Sequence, residues 1–481
     1  MTGGESKLRK AIVEVVLRKH GIILKDWNAV DPRLIVIESD DDLRDLDPPR
    51  DAVVINGPCA SGALEALGIR FRRSDQDGVT LKSGDVTYVL ESPRFELRQP
   101  TKYSKWKAPQ GEIQPPLPTS DRMPLVVFEA SEDHAVPLLG KIERAGEGGW
   151  QPVCLDTPLG LVFGIDLHGL FLSSHRVPRL LCGFSRRADQ SRPELFEAFF
   201  VHQLVRLLKR KKVPFAIANP WPDDKRWCFS IRHDYDRLIT DEEIHNILTL
   251  YNRLCVRSSW YFLPHKRITH QARLIQDMGH EIGLHTTATS ESQFRDQLSV
   301  LEISAGTKVT GVTAHGGDYI GFLGATQYEW AEAAGLDYSE GLGFVHHRPF
   351  CLPGTGPRGA LTILPSHSSF DLGTKPGQFN LKECEGAIEQ RRRGAGAALL
   401  MNHPDLHSGS FLHLVSSQKL RDAWCPTSAE LARWARAYSR TKLRFEGDAV
   451  HLDVPQELPF RMSGIFRIGE SEVAIGAEGS N

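Results

Sequence analysis

The stretch Cys228-Phe-Ser-Ile-Arg-His-Asp-Tyr-Asp-Arg237 decides how the rest of the chain is read. Its apolar run, Cys228 to Ile231, predicts a buried strand that stops at Arg232, with a turn or helix start to follow. Two carboxylates, Asp234 and Asp236, stand two positions apart beside His233 at the mouth of that strand. Charges placed there cost desolvation energy unless a cation or a reaction uses them. Function is therefore expected at this stretch.

Downstream of it, strand and helix patterns alternate. Thr240 and Glu243 form a capping box that opens a helix running to Leu254. Ser258 to Leu263 reads as a strand, Thr269 to Met278 as a helix ended by Gly279, and Glu281 to Leu284 as a strand leading into His285. Further helices are expected over 291–304, 325–334, 380–393 and 428–438, and further strands over 309–314, 361–364 and 397–401. Such a repeat argues for parallel strands joined by crossover helices, as an open sheet or a barrel. After residue 440, short apolar runs around 443–445, 450–452, 465–468 and 473–475 predict a small β-rich appendage over 441–481.

Upstream, residues 1–107 read as an α+β region. It has strands at Leu34–Ile37 and Ala52–Ile55, a hairpin from 79–82 to 86–90, and an acidic turn at Asp40-Asp41-Asp42. Prolines recur over 108–124 and mark a linker. Residues 125–213 read as an α/β accessory region. It has a strand from Leu125, a glycine-punctuated apolar pair at 162–166 and 169–172, and a helix over 193–211 that ends in Lys209-Arg-Lys-Lys212. That basic end suits a helix C-terminus better than a nucleic-acid patch.

The 481 residues exceed one ordinary core, and 41% hydrophobic with 25% charged residues is the composition of a globular protein. A net charge of −2 gives nothing to attract nucleic acid or an anionic membrane. The eight cysteines include no C-x-x-C pair, so reduced thiols are expected rather than zinc knuckles or a disulfide framework. Lys7, Arg9 and Lys10 precede an apolar run broken by Glu14 and closed by Arg18-Lys19-His20, which reads as an amphipathic helix and not as a secretory signal. No window has the apolar length of a membrane span. A cytoplasmic protein is expected.

Chemistry-bearing residues recur where strands stop. Asp234 and Asp236 follow the first strand, His285 the third, His315 the next, and His403 the strand 397–401. In parallel barrels, side chains at the C-terminal strand ends converge on one mouth, so these residues are expected to share a metal-type site. Asp with His is an N/O donor set that suits Zn²⁺ and other divalent first-row metals. His346, His347, His367, His407 and His413 lack this placement.

Several of these segments together resemble a family. Arg232-His-Asp-Tyr-Asp236, Ser259-Trp-Tyr-Phe262, Gly279-His-Glu-Ile-Gly-Leu-His285, Gly335-Leu-Asp-Tyr-Ser339 and Leu399-Leu-Met-Asn-His403 occur in the order of the NodB-homology polysaccharide deacetylases. They look most like the branch with an R-H-D-x-D first motif, found near surface-polysaccharide functions. The resemblance covers 214–440, and Gly164-Ile-Asp-Leu with Leu172-Ser-Ser is similar to a segment preceding the catalytic domain in that branch. It implies a distorted (β/α) barrel of about seven strands. It also implies metal-dependent hydrolysis of an N-acetyl group on an amino sugar or polysaccharide precursor. Carried over, Asp234 matches the catalytic base, Asp236 and His285 match metal ligands, and His403 matches the general acid.

Two departures from the family pattern matter. Its second metal histidine falls on Thr289, and the arginine of its third motif has no counterpart in Gly311-Val-Thr-Ala-His-Gly-Gly317. His315 is expected to complete the metal site or to contact substrate, a turn histidine being the bland alternative. Arg232 is expected on the substrate side, where it either holds Asp234 ionised or supplies the positive charge that the third motif lacks. Two rivals stand beside the deacetylase: a non-catalytic glycan-binding or regulatory protein on a degraded barrel, and an amide hydrolase with a non-sugar substrate.

Overall fold

The computed structural model describes residues 12–24, 33–37, 51–76, 78–91, 123–129, 131, 133–141, 149–176, 193–264, 268–315, 326–342, 348–351, 361–366, 381–418, 420–446, 449–455 and 460–476. The acidic turn at 40–42, the proline-rich stretch before Met123, and His346, His347 and His367 lie outside them.

Parallel strands with crossover helices dominate the second half of the chain. A nine-stranded sheet runs in the order Phe350–Cys351, Thr362–Ser366, Tyr338–Leu342, Gly311–Ala314, Glu281–Thr286, Ser258–Phe262, Trp227–Tyr235, Ala397–Asn402, with Ala423–Trp424 also on Trp227–Tyr235. Every pairing is parallel except that of Phe350–Cys351. The sheet curls into a half barrel. Where a barrel of about seven strands was expected, the hydrogen-bonded path is open. Among the described residues no ladder joins Thr362–Ser366 to Ala397–Asn402.

The opening stretch is longer as a strand than its apolar run suggested. Trp227–Tyr235 is one strand with all nine residues buried. Arg232, His233 and Asp234 do not end it, because ladders flank it on both sides: Ile231–Tyr235 pairs with Ser258–Phe262, and Cys228–His233 with Ala397–Asn402. Alternation then sorts the side chains. Trp227, Phe229, Ile231 and Tyr235 join Ile244, Leu248, Trp260, Ile282 and Leu400 in the core between sheet and helices. Cys228, Tyr261, Tyr338, Leu364 and Leu399 face inward and meet Leu431 and Trp434 of helix Ser428–Arg440.

That helix plugs the N-terminal end of the curled sheet. Its first two backbone N–H groups have no intrahelical acceptor. Ser428 N donates to Ser259 Oγ at 2.8 Å and Ala429 N to Glu281 Oε2 at 2.8 Å, and Thr427 and Glu430 add a capping box. Inside, two tyrosine rings need glycine beneath them. A Cβ on Gly283 would lie 2.4 Å from the Tyr261 ring, and one on Gly311 would lie 1.8 Å from the Tyr338 ring.

The first half holds a seven-stranded sheet in the order Leu34–Ile37, Ala52–Asn56, Gly160–Phe163, Trp150–Asp156, Ala135–Lys141, Gly78–Ser83, Val86–Glu91. Its strands come from both sides of residues 108–124, so that division runs through a single sheet. Strand Met123–Phe128 already contains Pro124 and pairs with Phe71–Gln76. Helix Pro193–Arg210 covers the sheet with Phe196, Phe200 and Leu204. The apolar pair expected at 162–166 and 169–172 is a strand end followed by helix Leu167–Arg176. A four-stranded sheet of Ile22–Leu24, Phe215–Ala218, Ser463–Ile468 and Ser471–Gly476 ties both halves to the C-terminal strands. Lys442–Glu446 and Ala449–Asp453 form a separate hairpin. Among the described residues no helix is long and apolar enough to cross a membrane. Among the described residues no cysteine forms a disulfide.

Candidate functional site

Four strand ends deliver the chemistry. Asp236 follows strand Trp227–Tyr235, His285 is the penultimate residue of Glu281–Thr286, and His315 follows Gly311–Ala314. His403 follows Ala397–Asn402 as the N-cap of helix Pro404–Ser417, with Pro404 at the first helical position, where its missing N–H costs nothing. That helix was absent from the sequence reading, although Pro404 and Asp405 just after an apolar strand are its start signal.

The carboxylate of Asp236 is the hub. Its Oδ1 lies 3.1 Å from His285 Nε2, and its Oδ2 lies 3.2 Å from His315 Nε2 and 3.6 Å from His403 Nε2. Asp234 sits just inside, its Oδ2 3.7 Å from the same His285 nitrogen. The structure thus brings together Asp234, Asp236, His285, His315 and His403. Burial works against ionisation of Asp236, but His285 and His315 outweigh it and hold the carboxyl well below the usual range. For His315, burial favours the neutral ring, yet the hydrogen bond and charge of Asp236 leave its pKa above the ordinary 6.5.

Arg232 lies beneath these groups and not at the mouth. Its side chain is 3% exposed, with Nη2 donating to Asp234 Oδ2 at 2.9 Å and Nη1 to Thr313 Oγ1 at 2.9 Å and Glu340 Oε2 at 3.1 Å. Burial disfavours the guanidinium charge, and Asp234 and Glu340 more than restore it. A direct contact between Arg232 and a ligand is not what this placement provides; an ion pair with Asp234 is. His233 points the other way, into the helix-side core. Its ring packs at a tilt against Trp260 with centroids 4.1 Å apart, its Nε2 lies 3.0 Å from Tyr251 Oη, and burial drops its pKa to about 3.

Below Arg232 runs a polar network that the sequence reading missed. Tyr261 Oη donates to Glu340 Oε1 at 2.7 Å and lies 2.9 Å from Tyr338 Oη, which donates to Glu281 Oε1 at 2.6 Å. Ser428 Oγ donates to Glu340 Oε1 at 2.6 Å and Ser259 Oγ to Glu281 Oε2 at 2.7 Å. Glutamate and tyrosine alternating with apolar residues on a strand read as a solvent face; only a curled sheet turns that face inward.

Thr289, where the family pattern has a histidine, is turned away. Both its backbone N and its Oγ1 bond Gln293 Oε1, at 2.9 and 3.0 Å, at the start of helix Glu291–Ala305. His315 stands at the hub instead. One donor atom each from Asp236, His285 and His315 lies within 4.8 Å of the others. Two imidazoles and a carboxylate match a catalytic zinc-type set, which keeps further coordination positions open. Orphaned atoms support the fit: Asp236 Oδ1 and His285 Nε2 at the hub, and Asp234 Oδ1 beside them, are buried without an aligned hydrogen bond among the described residues. Buried polar atoms are rarely left so unless a ligand takes them up.

No family model matches the chain, and no curated protein matches it. Among solved structures, the chain is similar to a Mycobacterium smegmatis protein described as a polysaccharide deacetylase, at 18% identity and TM-score 0.38, over 48% of this chain and 96% of that one. It is also similar to Puue allantoinase, at 13% identity and TM-score 0.38, over 45% and 92% of the two chains. A CE4 family pseudoenzyme from Bacillus anthracis is similar at 14% identity and TM-score 0.28, over 44% and 66%.

Proposed function

We propose that the chain is a divalent-metal-dependent hydrolase of a non-peptide carbon–nitrogen bond. Its substrate would be an N-acetylated amino sugar, as a soluble or lipid-linked polysaccharide precursor at the cytoplasmic side. One observation carries the reading: the convergence of Asp236, His285 and His315, with Asp234 and His403 beside them. A Zn²⁺-class cation on these three donors would acidify water and polarise an amide carbonyl.

The other two residues handle protons. Asp234 has Oδ2 anchored by Arg232 and Oδ1 without a hydrogen bond, so Oδ1 is the atom that takes the proton of the attacking water. His403 faces the site through Nε2 and is fixed at a helix start; Nε2 hands a proton to the departing amine nitrogen, which is otherwise too basic to leave. Water oxygen bonds the acyl carbon, the carbon–nitrogen bond breaks, and acetate and a free amine result. Arg232 acts on Asp234 and not on the sugar.

With Zn²⁺ or Co²⁺ and an N-acetylglucosamine trisaccharide, the chain should release acetate, and Asp236→Ala should not. Active protein that contains no Zn, Co, Ni or Mn by elemental analysis overturns the reading. One feature favours a second reading, a non-catalytic glycan-binding or regulatory protein: Thr289 bonds Gln293 where the family pattern places a ligand. That reading requires sugar affinity with no acyl release from any amide, and a panel that includes non-sugar amides also separates the amide hydrolase with a non-sugar substrate.

A further inference from the structure

One buried carboxylate near the acid–base pair has no role in the reaction above. Glu340 is 4% exposed and belongs to strand Tyr338–Leu342, with three strands between it and Trp227–Tyr235 along the sheet path. Its side chain nevertheless meets that of Arg232 across the curled interior, Oε2 accepting from Nη1 at 3.1 Å. Its Oε1 is fixed by two donors, Tyr261 Oη at 2.7 Å and Ser428 Oγ at 2.6 Å. Ser428 is in turn the first residue of the plugging helix.

We propose that Glu340 is a positioning residue: it anchors one arm of the Arg232 fork so that the other arm holds Asp234 toward the hub. The guanidinium is planar and rigid, so fixing Nη1 on Glu340 and Thr313 fixes where Nη2 points. Nη2 carries Asp234 Oδ2 at 2.9 Å and also touches Met401 Sδ at 2.7 Å. Without the anchor, a buried arginine on a long side chain has one anionic partner instead of two and can swing with it. The fork therefore joins the plugging helix at one end of the sheet to Asp234 near the other. Arginine from the first motif and glutamate from a distant strand together do the orienting.

The inference rests on the hydrolase reading for its kinetic consequence but not for its geometry, so the test has two arms. In the full-length protein, ¹⁵N NMR should resolve two slowly exchanging Nη signals for Arg232, and Glu340→Gln should collapse them into one averaged signal. With the N-acetylglucosamine trisaccharide and Co²⁺, Glu340→Gln should lower kcat about 10- to 100-fold, the usual range for an outer partner. KM and bound cobalt should stay unchanged, because Glu340 touches neither substrate nor hub. Glu340→Asp should recover part of kcat, and Glu340→Gln should add little to a chain already carrying Arg232→Gln. Unchanged Arg232 signals, or full additivity of the two substitutions, overturn the proposal. A Glu340-dependent Arg232 signal in a chain that releases no acetate supports the anchoring and overturns the hydrolase reading instead.

Discussion

The mouth and the floor of the curled sheet are built from the same residue types and handle them in opposite ways. On the floor, Glu281, Glu340, Tyr261, Tyr338, Ser259 and Ser428 interlock, and both carboxylates accept from several donors. At the mouth, Asp236, His285 and His403 crowd together, yet atoms of each are buried without an aligned hydrogen bond. Saturated polar networks fix a fold, whereas buried unsatisfied donors and acceptors cost about 1–3 kcal/mol each unless something binds them. The floor therefore reads as structure and the mouth as a ligand site.

Arg232 joins the two, and its loss should have the largest effect on stability. Arg232→Gln leaves Asp234 and Glu340 buried near each other without their cation. Breaking a buried pair from one side costs about 3–5 kcal/mol, so chemical denaturation should show a loss of that order. A variant as stable as wild type would put the two carboxylates in contact with water and break the contrast between floor and mouth. Next in size, Gly311→Ala should cost about 1–3 kcal/mol by pushing the Tyr338 ring off its seat. Tyrosine fluorescence should change with it.

Much of the fold was legible in the sequence. The helix at Asp241–Arg253, the strands Ser258–Phe262 and Glu281–Thr286, and the helix Glu291–Ala305 follow from caps, glycine stops and apolar runs that act within a few residues. The clustering of Asp234, Asp236, His285, His315 and His403 was also legible, because parallel strands bring their C-terminal ends to one side. What escaped depends on contacts between distant strands. Glu340 and Tyr261 are 79 residues apart, and no local pattern marks either as inward-facing. The length of strand Trp227–Tyr235 escaped for the same reason, since Arg232 is tolerated there by Glu340 and not by its neighbours in sequence.

A smaller effect should appear in the pH dependence. Burial raises the Glu281 carboxyl to about 7 from its ordinary 4.5, against the hydrogen bonds from Tyr338, Ser259 and Ala429. The folded chain then holds a proton that the unfolded chain releases between those values. The contribution is full below pH 4.5 and is lost as pH rises through 7. Melting temperature measured across that window should therefore fall more steeply in wild type than in Glu281→Gln; equal slopes would place Glu281 among ordinary solvated glutamates. The smallest effect is expected at Thr289, whose hydroxyl is held by Gln293 away from the hub. Thr289→Ala should leave metal affinity unchanged within error, and a clear loss would return position 289 to the ligand set.

The claim that the mouth is a metal site through Asp236, His285 and His315 is tested most directly by titrating the protein with Co²⁺ and following visible absorption. Saturation at one Co²⁺ per chain is expected, abolished in Asp236→Ala and strongly weakened in His315→Ala. Absence of saturable binding, or a His315→Ala titration that matches wild type, would contradict it.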